Sequence, residues 1–183
     1  IGNLTGYTSV VSGSAAQGYK ITNSHAPETT EVSGTKTWSD SNNQDGKRPA
    51  SIMVNLLANG TKIDSKTVTE KDGWKYSFTN LPKYAAGSKI VYTVNEEKVE
   101  GYTATVSGYD ITNTYKPGET SITVTKSWKD GNNQDGIRPD SVKVQLYADG
   151  KKCGDEVTLT SAANWTYTWS SLPEKASGKK ITY

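Results

Sequence analysis

Short segments in which apolar and polar residues alternate run along most of the chain. Residues 122–128 place Ile122, Val124, Lys126 and Trp128 on one face, and only threonine and serine on the other. An alternation of period two indicates a β-strand with one buried face. Together with turn signals such as Asp-Gly and Asn-Gly, the alternation predicts seven short strands in one stretch: residues 31–38, 51–58, 62–69, 73–79, 89–97, 102–106 and 109–115. Seven strands at this spacing predict an all-β sandwich.

Polar residues interrupt several of these apolar faces. Lys126 lies among the apolar residues of its segment, and Lys36 takes the same place in residues 32–38. Glu96 shares the parity of the apolar residues of its strand, and Asn113 shares that of the strand at 109–115. Because an unpaired buried ammonium is too costly to keep, each lysine needs a partner or must lose its charge. If the three strands are neighbours, Lys36, Glu96 and Asn113 meet in one apolar pocket.

Two interpretations of such a pocket remain open on parity alone. Desolvation favours the neutral forms of an amine and a carboxyl group, and a neutral amine is a nucleophile. Lys36 could then attack the Asn113 carboxamide, with Glu96 as the general acid and base, to form an amide bond and release ammonia. The alternative is a buried, hydrogen-bonded Lys36 and Glu96 pair beside an ordinary asparagine.

Composition narrows the class of protein. Tyrosine (11), tryptophan (5) and glycine (17) far outnumber phenylalanine (1), as expected for strands and turns. The net charge is +2 with both signs interspersed, and no apolar run approaches a membrane span, so neither a nucleic-acid nor a membrane partner is indicated. The single cysteine (Cys153) and single histidine (His25) exclude an intrachain disulfide, Cys/His metal sites and histidine-based triads. No cofactor or metal is indicated, and an enzyme acting on an external substrate is disfavoured.

The chain repeats itself. Segments of the first half recur 90 positions later, and from about residue 74 onward they recur 91 positions later. The matching segments are 35–38 with 125–128, 42–46 with 132–136, 48–49 with 138–139, 81–82 with 172–173 and 89–92 with 180–183. Near the amino terminus, residues 6–7, 12–13 and 21–23 match 101–102, 107–108 and 111–113.

These matches divide the chain into three parts. Residues 1–25, the tail, correspond to the end of a module; residues 31–115, the central module, are a complete copy; and residues 121–183, the head, correspond to the start of a further module. The chain is therefore expected to be an internal piece of a longer protein. Short proline-containing connectors at 26–31 and 116–121 make it hard for the head and tail of one chain to meet. We expect head-to-tail complementation between chains rather than closure within one chain.

Residues 40–46 faintly match a calcium-binding loop. Such a loop needs a glutamate at its twelfth position, where this chain has Ser51, and its glycine one place earlier than Gly46. A hydrogen-bonded Asx turn is the better prediction for the segment that follows Asp40.

The motifs Thr-Lys-x-Trp, Asn-Gln-Asp-Gly-x-Arg-Pro, Tyr-Thr-Val-x-Glu, Gly-Tyr and Ile-Thr-Asn-Thr together resemble the collagen-adhesin B-type (Cna B-type) repeat of Gram-positive surface proteins. The resemblance covers nearly the whole chain. It implies tandem seven-stranded, reversed immunoglobulin-like sandwiches, an extracellular cell-wall stalk role, and a self-formed Lys–Asn isopeptide bond. By motif, the lysine falls on Lys36, the assisting acid on Glu96 and the asparagine on Asn113.

The head departs from this pattern. Its lysine is Lys126, and the only candidate asparagine for a second cross-link is Asn23 in the tail. The position that corresponds to Glu96 falls on Ile1, so a Lys126–Asn23 bond should form slowly or not at all. For the whole chain we expect a cross-linked stalk repeat whose partners are neighbouring repeats of the same protein. The rival hypothesis is an adhesive module that binds a host matrix protein or glycan, although no concentrated exposed patch for such a ligand is evident.

Overall fold

The computed structural model describes residues 4–183, and nearly all of their regular structure is β-strand. Its only helical segments are two three-residue 3-10 turns, Glu70–Asp72 and Ser161–Ala163. Within the described residues no helix is long and apolar enough to cross a membrane. The chain forms two compact units, one of residues 4–36, 51–97 and 106–111 and one of residues 37–50, 98–105 and 112–183.

The tail is a single antiparallel hairpin. Its strands are β1 (Thr8–Ser14) and β2 (Gly18–Ser24), paired from Thr8 with Ser24 to Ser14 with Gly18. Apolar side chains of this hairpin are open to water, with Val10 57% and Ile21 57% exposed. The hairpin therefore makes no apolar core of its own.

The central module contains seven principal strands in two sheets. The four-stranded sheet has the order β10-β11-β3-β6, and the three-stranded sheet has the order β5-β4-β9. A small hairpin, β7 with β8, is added between β6 and β9. The bounds are β3 (Thr29–Ser39), β4 (Ser51–Ala58), β5 (Thr61–Thr69), β6 (Lys75–Pro82), β7 (Tyr84–Ala85), β8 (Ser88–Lys89), β9 (Tyr92–Glu96), β10 (Thr103–Ser107) and β11 (Asp110–Thr114). The all-β, seven-stranded prediction for this stretch is confirmed.

Period-two alternation builds the core of the first unit. On β4 the residues Ile52, Val54 and Leu56 are at most 4% exposed, and they come from one parity of the strand. Tyr76 and Phe78 of β6 are likewise buried. Removing each large apolar side chain from water contributes about 1.5–3 kcal/mol, so this alternation is the main source of stability in the sandwich.

Two predicted strand boundaries were wrong. The strand expected at 73–79 begins only at Lys75 and continues to Pro82, because Trp74 has a positive φ of 57° that closes the turn after Asp72. The strand expected at 89–97 is split, because Asn59 holds the backbone of Val91: its side chain accepts from the Val91 N–H at 3.0 Å, and its N–H donates to the Val91 carbonyl at 2.8 Å. An asparagine after an apolar strand predicts a turn, and the sequence alone does not reveal that Asn59 also binds the backbone of Val91.

The head repeats the first part of this pattern in four separate pairs of strands. β12 pairs with β17, β13 with β16, β14 with β15 and β18 with β19. The bounds are β12 (Glu119–Thr125), β13 (Ser141–Val144), β14 (Tyr147–Ala148), β15 (Lys151–Lys152), β16 (Val157–Thr160), β17 (Thr166–Pro173), β18 (Lys175–Ala176) and β19 (Lys179–Lys180). Within the head only Leu146 and Leu159 are buried hydrophobic residues. Residues 121–183 contain no strands that correspond to β9, β10 and β11.

Candidate functional site

Lys36 lies in the interior of the central module, as its parity on β3 predicts. The residue is 2% exposed, and its side chain is fully buried. Its backbone N–H donates to the carbonyl of Trp74 at 2.7 Å, which fixes the strand at this point. The side chain therefore has no route to bulk water and depends on groups inside the sandwich.

Glu96 provides the opposite charge. It lies on β9 opposite Val54 of β4, and its side chain is only 1% exposed. Its Oε1 lies 3.3 Å from the Lys36 Nζ. Two desolvated ionisable groups at this distance interact strongly, because little water screens their charges. The sequence-based expectation that Lys36 and Glu96 are buried neighbours agrees with this geometry.

Tyr76 closes one side of this buried region. Its hydroxyl donates to the carbonyl of Tyr109, which lies just before β11. Burial, together with the negative charges of Asp110 and Glu96, raises the pKa of Tyr76 to about 12. Tyr76 is therefore a permanent hydrogen-bond donor at physiological pH.

Gly34 permits the approach of Tyr109, and sequence reasoning missed this role. A Cβ at position 34 would lie 2.0 Å from the Tyr109 carbonyl oxygen and 2.8 Å from the Tyr76 hydroxyl. No side chain fits in that space, so any residue larger than glycine would push the β11 end of the module away from β3. A glycine in the middle of an apolar strand is the signal that could have identified this contact.

Asn113 is fully buried on β11, as its parity predicts. Among the described residues, neither its side-chain nitrogen nor its side-chain oxygen has a hydrogen-bond partner. Buried amides are nearly always satisfied, so an unsatisfied one in a core requires an explanation. Its strand neighbours β3, which carries Lys36.

The second candidate pair lies in a different environment. Lys126 was expected on a buried face, but it is exposed: its Nζ donates to the Ser127 carbonyl at 3.0 Å and lies 4.3 Å from the centroid of the Trp128 ring. β12 ends at Thr125, and the head has no further strands to cover this lysine. Asn23 is also exposed, and its Oδ1 accepts from the Ser9 hydroxyl at 2.6 Å. Ile1, which takes the place of the assisting acid, lies outside the described residues.

The buried polar groups beside Lys36 have acid–base chemistry. They are the Lys36 amine, the Glu96 carboxyl group 3.3 Å away and the Tyr76 phenol. Within residues 4–183 there is no cluster of three or more histidine, cysteine, aspartate or glutamate side chains that could hold a metal ion. The arrangement places a desolvated amine beside a carboxyl group, which is the pairing that general acid–base chemistry needs.

Comparison with known proteins places this geometry in context. The family model for the Cna protein B-type domain matches residues 32–114 and 122–183. A collagen adhesin of Staphylococcus aureus is 52% identical over 180 residues, which is 98% of this chain and 15% of the relative. The chain therefore spans only a small part of that relative's length.

Solved structures give the same result. Two B repeat units (B1B2) of the collagen binding protein of Staphylococcus aureus are 50% identical, with a TM-score of 0.61 over all of this chain and 49% of theirs. A single B repeat unit (B1) of the same protein is 55% identical over 84% of this chain and 82% of its own, with a TM-score of 0.48. The family match, the identity and the seven-stranded sandwich agree, and the chain belongs to the Cna protein B-type domain family.

Proposed function

We propose that this chain is a structural stalk repeat of a cell-wall-anchored surface adhesin, stapled by an isopeptide bond between Lys36 and Asn113 that the chain forms by itself. The observation that carries the proposal is the buried pair of Lys36 and Glu96, 3.3 Å apart, together with the buried and unsatisfied amide of Asn113. An extracellular position on a bacterial surface follows from the similarity to the staphylococcal collagen adhesin.

The position of the strands supports this pairing of residues. The Thr35 N–H donates to the Asp110 side chain at 2.8 Å, and the Tyr115 N–H donates to the Ser39 carbonyl at 2.9 Å. β3 and β11 therefore run side by side in the same direction. Lys36 and Asn113 both fall between these two contacts along their strands.

The reaction needs no external reagent. Proton transfer from the Lys36 ammonium to Glu96 leaves a neutral amine and a protonated acid. The amine attacks the Asn113 Cγ while Glu96 polarises the carbonyl; the new C–N bond forms, the old one breaks, and the amine proton passes through Glu96 to the departing ammonia. Each chain reacts once, so the chain is a self-modifying protein and not an enzyme with turnover.

A stalk benefits from such a bond because the chain has no disulfide available. Its one cysteine cannot form an intrachain bridge. A cross-link between β3 and β11 joins the beginning and the end of the module, so a pulling force along the chain would load the covalent bond and not the sheet hydrogen bonds. Covalent closure also removes entropy from the unfolded chain.

Intact mass measurement tests the proposal directly. The expected mass of the chain is below the sequence mass by one molecule of ammonia. The Glu96→Ala variant should fold but show the full sequence mass, because the proton carrier is gone. Glu97→Ala is the matched control, since Glu97 is the next residue but is exposed, and its carboxylate pairs with Lys62 at 3.6 Å. A full sequence mass in the unmodified protein, or a mass deficit that persists in Glu96→Ala, would refute the assignment.

We further propose that the tail of one chain completes the head of another. In the central module Asp40 accepts from the Tyr102 hydroxyl at 2.9 Å, and its side chain is 1% exposed. In the head, Asp130 makes the same bidentate pair with an arginine, but within the described residues no tyrosine hydroxyl donates to it, and its side chain is 28% exposed.

The tail carries a tyrosine, Tyr7, in the same ring geometry that Tyr102 has in the central module. The rings of Tyr7 and His25 are 5.4 Å apart at 42°, the same arrangement as Tyr102 and Tyr115. Ile21 corresponds to the fully buried Ile111, yet it is 57% exposed. A tail seated in a second copy's head would bury Ile21, bring Tyr7 to Asp130, and cover Lys126.

Sedimentation over a range of concentrations tests this pairing. We expect concentration-dependent association that Ile21→Asp abolishes and Val91→Asp does not, because Val91 is equally exposed but lies in neither the tail nor the head. A chain that stays monomeric at millimolar concentration would refute complementation. Mass analysis of the associated form separately tests the Lys126–Asn23 bond, which we expect to be absent without the acid.

A further inference from the structure

The loop that follows β3 has a rigid conformation of its own. We call residues 40–48 the first Asx loop. Arg48 binds Asp40 through two hydrogen bonds of 3.1 and 2.6 Å, and Asp40 also accepts from the Asn43 N–H at 2.9 Å. Asn42 and Asn43 have positive φ angles of 57° and 59°, which asparagine tolerates better than most residues. The loop is thus held from both ends and presents a fixed surface.

Residues 44–46 of this loop are occupied. The Gln44 side chain donates to the Gly118 carbonyl at 3.2 Å, and the Gln44 carbonyl accepts from the Gly178 N–H at 3.0 Å. The Asp45 carboxylate accepts from the Gly118 N–H at 3.3 Å and from the Tyr115 hydroxyl at 2.8 Å. One short segment therefore holds both the connector and the turn between β18 and β19.

Glycine makes the close fit possible. A Cβ on Gly46 would lie 2.8 Å from the Gly178 Cα, a distance that real Cβ atoms do not reach. The contact is backbone against backbone, so its geometry leaves little freedom for sliding.

The head carries a second copy of the loop, and that copy is empty. In residues 130–138, which we call the second Asx loop, Arg138 binds Asp130 through two hydrogen bonds, and the Asn133 N–H donates to Asp130 at 3.1 Å, as in the first loop. Gln134, Asp135 and Gly136 are exposed, whereas Gln44 and Asp45 are half-buried. Within the described residues, a Cβ on Gly136 would meet nothing within 4 Å.

The turn that fits such a loop is also present in a free copy. Gly87, between β7 and β8, corresponds to Gly178 and has a φ of 80° against 79°. The surrounding contact is repeated as well: the Lys83 N–H donates to the Glu28 carbonyl at 3.0 Å, and the Glu174 N–H donates to the Gly118 carbonyl at 3.0 Å. A Cβ on Gly87 would meet nothing within 4 Å among the described residues.

We propose that residues 44–46 are a docking site for the following repeat of the chain, which binds there through its connector and its glycine turn. Residues 134–136 are an empty copy of this site, and the occupant of that copy is a further B-type repeat. The inference adds to the proposed stalk role the surface that fixes one repeat against the next. It does not depend on the isopeptide bond, which lies elsewhere in the module.

Electrostatics agrees with an occupied first site. The hydrogen bond from Tyr115 lowers the pKa of Asp45; burial opposes this, and the Gly118 N–H and the positive charges of Lys175 and Lys47 lower it further. Two of these groups, Gly118 and Lys175, belong to the connector and the following repeat. The carboxylate thus stays charged when the repeat is seated.

Amide hydrogen exchange measured by NMR on the 183-residue chain, at a concentration at which the chain is monomeric, tests the first site. The Gly178 amide should exchange at least about tenfold more slowly than the Gly87 amide, because only Gly178 has a partner in the docking site. Gly46→Ala should remove this protection. Gly136→Ala is the matched control, because its φ of 68° imposes the same backbone strain as the 66° of Gly46 but its space is open.

Equal exchange of Gly178 and Gly87 in the unmodified chain would overturn the docking site, whether or not the Gly46 variant folds. So would protection of Gly178 that survives Gly46→Ala. The mass deficit of the isopeptide bond should be the same in both glycine variants, so failure of the stalk cross-link and failure of the docking site are recognised separately.

A tandem duplicate tests the empty copy. If a second copy of the chain follows Tyr183 directly, its tail continues the head of the first copy, and its connector and glycine turn reach residues 134–136. We expect the Gly87 amide of the second copy to become protected, while the Gly87 amide of the first copy stays as in the single chain. Identical exchange at the two positions would refute the proposal for the second Asx loop.

Discussion

The central module and the head carry the same motifs, yet their lysines have opposite environments. Lys36 is 2% exposed and lies beside Glu96, whereas Lys126 is exposed and rests on the ring of Trp128. The two lysines share one backbone hydrogen bond, since each N–H donates to a tryptophan carbonyl, at 2.7 Å for Lys36 and 2.9 Å for Lys126. β3 continues through Lys36 to Ser39, whereas β12 ends at Thr125. The Thr-Lys-x-Trp motif therefore sets this hydrogen bond, and the strands that cover it create the dry site.

The arginine–aspartate pairs show the same dependence of burial on the covering strands. Arg48 with Asp40 and Arg138 with Asp130 have the same shortest distance of 2.6 Å, because both pairs form within one loop. Only Asp40 is covered by a tyrosine from the end of the module. Local contacts are thus complete in an unfinished module, whereas burial depends on strands that are distant in sequence.

The largest expected difference between the two regions is the effect of removing the lysine. Lys36→Ala eliminates the proposed cross-link and leaves Glu96 buried without Lys36, so the central module should lose about 4 kcal/mol or more of unfolding free energy, as for a covalent link that closes a long loop. Lys126→Ala removes only an exposed ammonium over a ring and should cost at most about 1 kcal/mol.

Calorimetry of both variants measures this difference as the shift of the unfolding transition. The conserved fold of each variant can be checked by the dispersion of its NMR amide signals. Similar shifts for the two lysines would mean that the central site contributes no special stability, and the comparison between the two regions would fail.

Much of this comparison could be predicted from the sequence. Alternation identified the strands and the inward direction of Lys36, Glu96 and Asn113, because period two depends only on backbone geometry. The same reasoning placed Lys126 inside, which is wrong here, since parity gives a direction but not the presence of a covering layer. Gly34, in the middle of an apolar strand, was a signal that sequence reasoning missed. The contacts of residues 44–46 were not predictable, because they join groups far apart in sequence and leave no pattern in side-chain polarity.

A smaller effect is expected from the tyrosine that covers Asp40. Tyr102→Phe removes one hydrogen bond to a buried carboxylate and should destabilise the central module by about 1–2 kcal/mol. Tyr7→Phe alters the corresponding residue of the tail, which is 53% exposed, and should change monomer stability by less than about 0.5 kcal/mol.

Chemical denaturation at low protein concentration measures both tyrosine variants. At high concentration Tyr7→Phe should also weaken association between chains, because the proposed partner of Tyr7 is Asp130. An equal loss for the two variants in the monomer would show that the tail is already seated on an acceptor, contrary to the exposure of its residues.

The smallest expected effect is on the pH dependence of stability, and it again distinguishes Asp130 from Asp40. The hydrogen bonds from Arg138, reinforced by the Asn133 N–H and opposed by partial burial, lower the pKa of Asp130 to about 2. A folded pKa below the ordinary value of 3.8 stabilises the folded head above that value, and the contribution is lost as the pH falls towards about 2. Burial raises the pKa of Asp40, but Arg48, the Asn43 N–H and Tyr102 together bring it below its ordinary value.

Titration of the two carboxyl carbons by NMR tests this balance. Arg138→Gln should return the pKa of Asp130 towards 3.8 and flatten the acid dependence of head stability, while Asp40 titrates as before. Arg48→Gln should have a larger effect on Asp40, because burial then acts without its main opponent and drives the pKa above the ordinary value. Equal pKa changes of Asp40 and Asp130 on loss of their arginines would show that the covering strands do not alter the electrostatic environment of Asp40. The two regions would then differ only in solvent exposure.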